Sequence, residues 1–144
     1  MKKVCFVCLA NECRSPMAQK IFEKLLKDSK VKNIKVSSAG IGANEGTQMT
    51  LMAKRALKEL GIHAGAYKSK QLKTVEPNTL YLTMTKSQKE YLNKKNVFTI
   101  AEVVGESHEI EDPAGYDQAV YNQTAHQIDF YCKKLLQKLI KVTN

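Results

Sequence analysis

Lys3-Val4-Cys5-Phe6-Val7-Cys8-Leu9-Ala10-Asn11-Glu12-Cys13-Arg14-Ser15-Pro16 is the stretch from which the rest of this chain is read. An apolar, β-rich run ends at Cys8, and a short polar loop then leads to a proline suited to the first turn of a helix. A strand that turns directly into a helix leaves the N–H groups of the loop and first helical turn unpaired and converging. Together with the helix dipole they form an anion site. The same positive field favours a thiolate, so a cysteine at the strand end becomes a nucleophile near neutral pH. Arg14 lies six positions after Cys8, and only one other arginine, Arg55, occurs among the 23 basic residues. Its planar fork holds two phosphate oxygens in a way that lysine does not copy. Asn11 tolerates the left-handed conformation such a loop often requires. Ser15 supplies a hydroxyl that can donate to the Cys8 sulfur. This is the equipment for attack on a phosphate by a thiolate.

Working outward, short β-rich runs alternate with longer helical ones, which predicts an α/β fold with a parallel sheet. Strands are expected at Lys3–Val7, Ile34–Ser38, Thr79–Met84 and Val97–Ile100. Helices are expected at Pro16–Asp28, Gln48–Leu60, Lys86–Leu92 and from about Asp117 to Ile140. Right-handed crossovers put the Cys8 loop at the carboxyl edge of the sheet, where open α/β folds bind ligands. With 144 residues, 43% of them hydrophobic, residues 1–144 are expected to form one domain with its own core.

Composition narrows the chemistry. Cys5 and Cys8 form a C-x-x-C, but residues three apart on a strand point to opposite faces, so a shared metal or dithiol is disfavoured. Cys5 and Cys132 read as small buried hydrophobes. The four cysteines do not make a secreted disulfide framework, and a reducing cytoplasm is expected. Met1-Lys2-Lys3 and the apolar run after it lack the small-residue cleavage site of a signal peptide, and no stretch is long enough to span a membrane. The net charge of +9 is uneven. From Asn96 to Cys132 there are seven acids and no Lys or Arg, leaving 23 basic against seven acidic residues elsewhere. The lysines are scattered and no recognition motif accompanies them, so an attraction for anionic phosphoprotein surfaces is preferred to nucleic-acid binding. His63, His108 and His126 fall in turn or polar positions and read as surface residues.

The Cys-x5-Arg-Ser-Pro loop after an N-terminal strand, joined to Asp112-Pro113 far downstream, Ser38-Ala39-Gly40 after the second strand and Leu80–Thr85 as a later one, resembles the low molecular weight protein tyrosine phosphatases over nearly the whole chain. The resemblance implies a three-layer α/β fold with a four-stranded parallel sheet in the order 2-1-3-4. It implies Cys8 as nucleophile through a cysteinyl-phosphate intermediate. Arg14 and the backbone of Leu9, Ala10, Asn11, Glu12, Cys13 and Ser15 would hold the phosphoryl group, with no cofactor and no metal needed to neutralise it. Asp112 would protonate the leaving atom and then deprotonate the attacking water. The other reading of Asp112 is a turn residue before proline. Cys13 is either a small buried side chain or, as the resemblance implies, a redox partner that traps oxidised Cys8 as a disulfide. The expected partners are phosphorylated proteins, acted on by a monomer.

Departures from the family pattern carry further expectations. Ala10 replaces the usual glycine, so the backbone there should avoid positive φ. Tyr67 stands where the family often has a histidine, which alters the hydrogen bond supporting the loop. No aromatic residue follows Asp112-Pro113 directly; Tyr116 or Tyr121 would have to wall a phosphotyrosine ring. Phosphotyrosine is the substrate the resemblance carries by default. The pattern around Gly105-Glu106, Asp112-Pro113 and Val120-Tyr121 is also similar to the bacterial protein arginine phosphatases of the same family, in which a small hydroxyl residue at the position of Glu12 helps select phosphoarginine. A carboxylate there would pair with a guanidinium or turn to solvent. A thiol-based arsenate reductase shares the fold but needs two further cysteines mid-chain, and residues 14–131 contain none.

Overall fold

The computed structural model describes residues 2–143, with side chains over 2–141. Four parallel strands, β1 (Lys2–Cys8), β2 (Ile34–Gly40), β3 (Thr79–Thr83) and β4 (Val97–Thr99), lie in the order β2-β1-β3-β4. The connecting helices are α1 (Arg14–Asp28), α2 (Leu51–Glu59), α3 (Lys86–Leu92), α4 (Ile100–Val104) and α5 (Gln118–Thr143). The strand period of two sorts the central strand cleanly. Val4, Phe6 and Cys8 face the main core, built with Met17, Ile21 and Phe22 of α1, Leu57 of α2, and Ile128 and Leu135 of α5. Cys5 and Val7 face the opposite layer with Tyr81 and Val97, covered by Leu92 of α3 and by Leu72 and Val75. Cys5 and Cys8 therefore lie on opposite faces, as expected for an extended run. Phe6 and Phe22 meet edge to face at 5.8 Å, an arrangement worth about 0.5–1.5 kcal/mol beyond area burial. It joins β1 to α1 and so fixes both ends of the loop between them.

Several boundaries differ from the sequence reading by a few residues, and four of them bear on the site or on a helix start. Helix α1 begins at Arg14 rather than Pro16, so the proline is its third residue, still within the first turn where no amide is required. Helix α2 begins at Leu51, not Gln48, because the Thr50 side chain accepts from Ala53 N and caps it. Strand β2 runs on to Gly40, paired in register with Cys8. Strand β4 stops at Thr99, and Ile100 opens a short helix instead of closing the strand. Thr99 and Glu102 form a reciprocal capping box there, a T-x-x-E signal visible in the sequence.

Candidate active site

Residues 8–15 wrap the carboxyl end of β1, and the wrapping is enforced from outside. The Cys8 carbonyl accepts from Ile41 N (3.0 Å), Leu9 from Gly42 N (2.8 Å), Asn11 from Ser69 Oγ (2.6 Å) and Glu12 from Thr50 N (3.0 Å). A trans peptide unit sets its N–H opposite its C=O, and the described chain has no cis bond. The amides of Leu9, Ala10, Glu12 and Cys13 therefore face the concave side, toward Cys8. These outward clamps from Ile41, Gly42 and Thr50 were not singled out from the sequence, where nothing in a local window relates them to residues 8–12.

The Cys8 side chain is buried at the floor of the loop. Its sulfur lies 2.9 Å from Ser15 Oγ and accepts from Asn11 N at 3.3 Å. Asn11 is fully buried at φ 56°, the left-handed value that its residue type tolerates, whereas Ala10 stays out of that region. Tyr67 meets the loop where the family histidine was expected: its hydroxyl reaches Asn11 Oδ1 at 2.5 Å and Ser38 Oγ at 2.6 Å. Burial pushes the Tyr67 hydroxyl above its ordinary range, against the opposing pull of those hydrogen bonds.

Arg14 is 4% exposed. Its Nη1 donates to Ile110 O at 2.9 Å, tying it to the segment that carries Asp112. Its Nη2 stands 3.7 Å from Asp112 Oδ2, and its buried Nε has no partner. The Nε–Nη2 edge, whose one ion pair is that of Nη2 with Asp112, borders the pocket. Asp112 accepts from Ala114 N at 3.0 Å in an Asx turn, so the turn reading holds as a description of its backbone. Its other carboxylate oxygen faces Arg14, and the side chain remains half exposed. Cys13 occupies the N-cap position of α1 without a side-chain capping bond, and its sulfur lies 3.8 Å from Asp112 Oδ1. Burial first, then the neighbouring Cys8 and Asp112, push the Cys13 thiol up to about 12, so at neutral pH it is a neutral thiol beside the floor cysteine.

Cys8, Leu9, Ala10, Glu12, Cys13, Arg14, Asp112 and Tyr121 line a single pocket of about 100 Å³, joined by Thr50 and Ala114. Asn11 and Ser15 stand behind it, buried. Tyr121 forms an inner wall at 6% exposure, its hydroxyl raised by burial and then by Cys13. Tyr116 does not join this pocket. It is 64% exposed and lines a neighbouring cleft of about 790 Å³ that shares Asp112. The three histidines are exposed. Among the described residues no three His, Cys, Asp or Glu side chains gather as a metal site, and no helix is long and apolar enough to cross a membrane.

A thiol set among inward amides and a buried guanidinium is built to receive a tetrahedral anion. Known proteins resemble this chain in sequence and in fold. The family described as low molecular weight phosphotyrosine protein phosphatase matches residues 3–144. A protein-arginine-phosphatase of Geobacillus stearothermophilus is 35% identical over 146 residues, covering 95% of each chain. The low molecular weight protein-tyrosine-phosphatase PtpB of Staphylococcus epidermidis is also 35% identical, over 136 residues, covering 88% of this chain and 91% of its own. A solved YwlE arginine phosphatase, a serine-for-cysteine mutant with a phosphorylated active-site serine, superposes with a TM-score of 0.90 at 30% identity, covering 96% of both chains. The chain belongs to the low molecular weight phosphotyrosine protein phosphatase family, a family of cysteine-dependent hydrolases acting on phosphoproteins.

Proposed function

We propose that Cys8, Arg14 and Asp112 carry the hydrolysis of a phosphorylated protein side chain, with phosphotyrosine as the substrate residue. The observation that carries this reading is the pocket floor: one buried sulfur held by Ser15 Oγ and Asn11 N beneath inward-facing amides and the Nε–Nη2 edge of Arg14. The Cys8 thiolate attacks phosphorus as the bond to the phenolic oxygen breaks. The loop amides and the Nε–Nη2 edge of Arg14 hold the three equatorial oxygens through the charge-bearing transition state. The Asp112 carboxyl gives its proton to the leaving oxygen. Its carboxylate then takes a proton from water, which attacks the cysteinyl phosphate and releases inorganic phosphate and the Cys8 thiolate. Support for the covalent step comes from the phosphorylated serine in the relative's mutant. Tyr121 is the aromatic wall at the pocket; Tyr116 stands in the adjoining cleft, where the rest of a substrate chain would lie.

A second reading, phosphoarginine, is favoured by one feature. Glu12 and Asp112 place two carboxylates at the mouth of a pocket whose floor binds an anion, and no cation of the protein pairs with Glu12 among the described residues. That mouth suits a leaving group that is itself a cation.

The decisive experiment has two arms. Hydrolysis of an aryl phosphate in EDTA, with competitive inhibition by vanadate, is expected for the wild type. Cys8→Ser is expected to bind vanadate without turnover; persistent turnover in that variant overturns the assignment. Turnover of phosphotyrosine and phosphoarginine peptides is then compared in wild type, Glu12→Ile and Glu12→Thr. A shift toward phosphotyrosine in Glu12→Ile supports the guanidinium reading, an unchanged ratio removes Glu12 from the specificity argument, and the wild-type preference itself decides between the two substrates.

A further inference from the structure

Helix α2 starts at the catalytic pocket and ends at a second cleft. Thr50, its N-cap, lines the pocket of Cys8, and Lys54 N donates to Thr50 O at 3.1 Å, so Lys54 stands one turn along from it. Lys58 stands one turn further. Residues four apart share a helix face, so Thr50, Lys54 and Lys58 form one row about 12 Å long. Helical side chains lean toward the N-terminus of their helix, here toward the catalytic pocket. Lys54 shows this, with Nζ 3.5 Å from Gln48 Oε1 on the segment leading into the helix. Lys54 and Lys58 line a cleft of about 540 Å³ together with Ile62, His63 and Ala64. Gly65 N–H donates to His63 Nδ1 at 3.1 Å, which puts the proton of the neutral ring on Nε2 and leaves that atom as a donor. Among the described residues no carboxylate forms an ion pair with Lys54, Lys58 or His63. The cleft thus offers cations and a donor beside the buried apolar Ile62 and Ala64, with no counter-charge paired to them.

We propose that this row is a docking subsite for acidic residues that flank the phosphorylated residue of a protein substrate. The inference rests on the hydrolase reading above. Charge complementarity selects the occupant: two unpaired lysines lead away from a pocket that already holds the substrate by its anion. Spacing sets the reach. At about 3.3 Å per residue, an extended chain whose phosphorylated side chain enters the Cys8 pocket passes Lys54 and Lys58 about two to four residues on. The cleft that shares Asp112 has the opposite character. Its Glu109 and Glu111 form no ion pair among the described residues, and they repel an acidic flank. A substrate with acids on one flank is therefore held in one orientation, with that flank along α2.

The test compares kcat/KM for phosphopeptides carrying two glutamates before the phosphorylated residue, two after it, or glutamines in their place. Each peptide is made with phosphotyrosine and with phosphoarginine. The ratio of glutamate to glutamine peptide is taken within each variant, which cancels changes in the catalytic pocket itself. At about 0.15 M salt the wild type should favour glutamate on one flank by about three- to tenfold, the worth of two exposed ion pairs, and about 0.5 M salt should remove most of that preference. Lys54→Gln with Lys58→Gln should bring the ratio to about one, and Lys54→Glu with Lys58→Glu should reverse it. Arg55→Gln, exposed but turned about 100° from the row, should keep most of the preference. A wild-type ratio of one on both flanks, or a preference that survives both double substitutions, overturns the proposal. So does an equal loss in Arg55→Gln, which would make the attraction a diffuse field of the basic chain. Ratios of one accompanied by citrate-induced shifts of the Gly61 and Gly65 amide resonances would give the cleft to a free anion and also overturn it. Wild type without turnover of any phosphopeptide or aryl phosphate refutes hydrolysis itself, a result distinct from turnover without flank preference.

Discussion

Gly40→Ala tests how the sheet edge shapes the phosphate loop. Gly40 ends β2 beside Cys8, and a methyl group there would sit 2.7 Å from Leu9 O, 2.9 Å from Ala43 Cβ and 3.0 Å from the Ala10 carbonyl carbon. Leu9 O is already held by Gly42 N, and Gly40 itself is pinned by Lys70 O and Leu72 N, so neither side yields freely. Relief to ordinary contact needs about 0.7 Å of movement, most of it taken by the Leu9–Ala10 peptide whose amide faces the pocket. Overpacking of this kind costs about 1–3 kcal/mol, and a displacement approaching 1 Å at groups that orient a reacting phosphoryl lowers kcat by about 10- to 100-fold. Gly42→Ala is the control, because its methyl would meet the flexible Leu9 side chain at 3.6 Å and Leu9 O at 4.0 Å, both ordinary contacts. Urea unfolding and aryl phosphate kinetics on both variants read the two effects separately. If Gly40→Ala lies within about 0.5 kcal/mol and twofold of Gly42→Ala, the loop is not seated on Gly40 as argued.

Asp112→Asn is expected to lower kcat by about 10²–10⁴-fold for an alkyl-phenol phosphate and much less for nitrophenyl phosphate, whose leaving group needs little protonation; equal losses would assign Asp112 to its Asx turn alone. Mild peroxide should oxidise Cys8 to the sulfenic acid, which condenses with the Cys13 thiol, releasing water and giving one disulfide-linked pair reversible by dithiothreitol; a Cys8–Cys5 pair, on opposite faces of β1, would contradict the strand geometry. Stability should fall at alkaline pH. Burial raises the Cys13 thiol to about 12 and raises that of Cys132 as well, so above their ordinary value of 9.0 the unfolded chain releases protons that the folded chain keeps. Each such thiol lowers unfolding free energy by about 1.4 kcal/mol per pH unit in that window and by nothing below it. Cys132→Ala, compared by urea melts at pH 8, 9.5 and 10.5, should show a shallower decline than wild type; parallel declines would remove Cys132 from the account.

The loop after β1, the parallel character of the sheet and most of the helix pattern were legible in the chain because each rests on short-range chemistry, whereas the strand order came from the family resemblance. The strand that ends at Cys8, the left-handed tolerance of Asn11 and the period-two sorting of Cys5 from Cys8 are properties of neighbouring residues. Even the short helix α4 was written locally, as the Thr99–Glu102 capping box, and was missed by extending β4 one residue too far. What no local window carries is the closure of the site. The loop carbonyls are held by Ile41, Gly42, Thr50 and Ser69, and Asn11 Oδ1 meets Tyr67 Oη and Lys70 N, residues between 30 and 60 positions away in sequence. Arg14 is aimed by Ile110 O, 96 residues on. Hydrogen-bond direction and steric fit depend on distances of tenths of an ångström between distant segments. The residue types announce the chemistry, while the packing of β2 and the segment from Tyr67 to Leu72 against the loop decides its geometry.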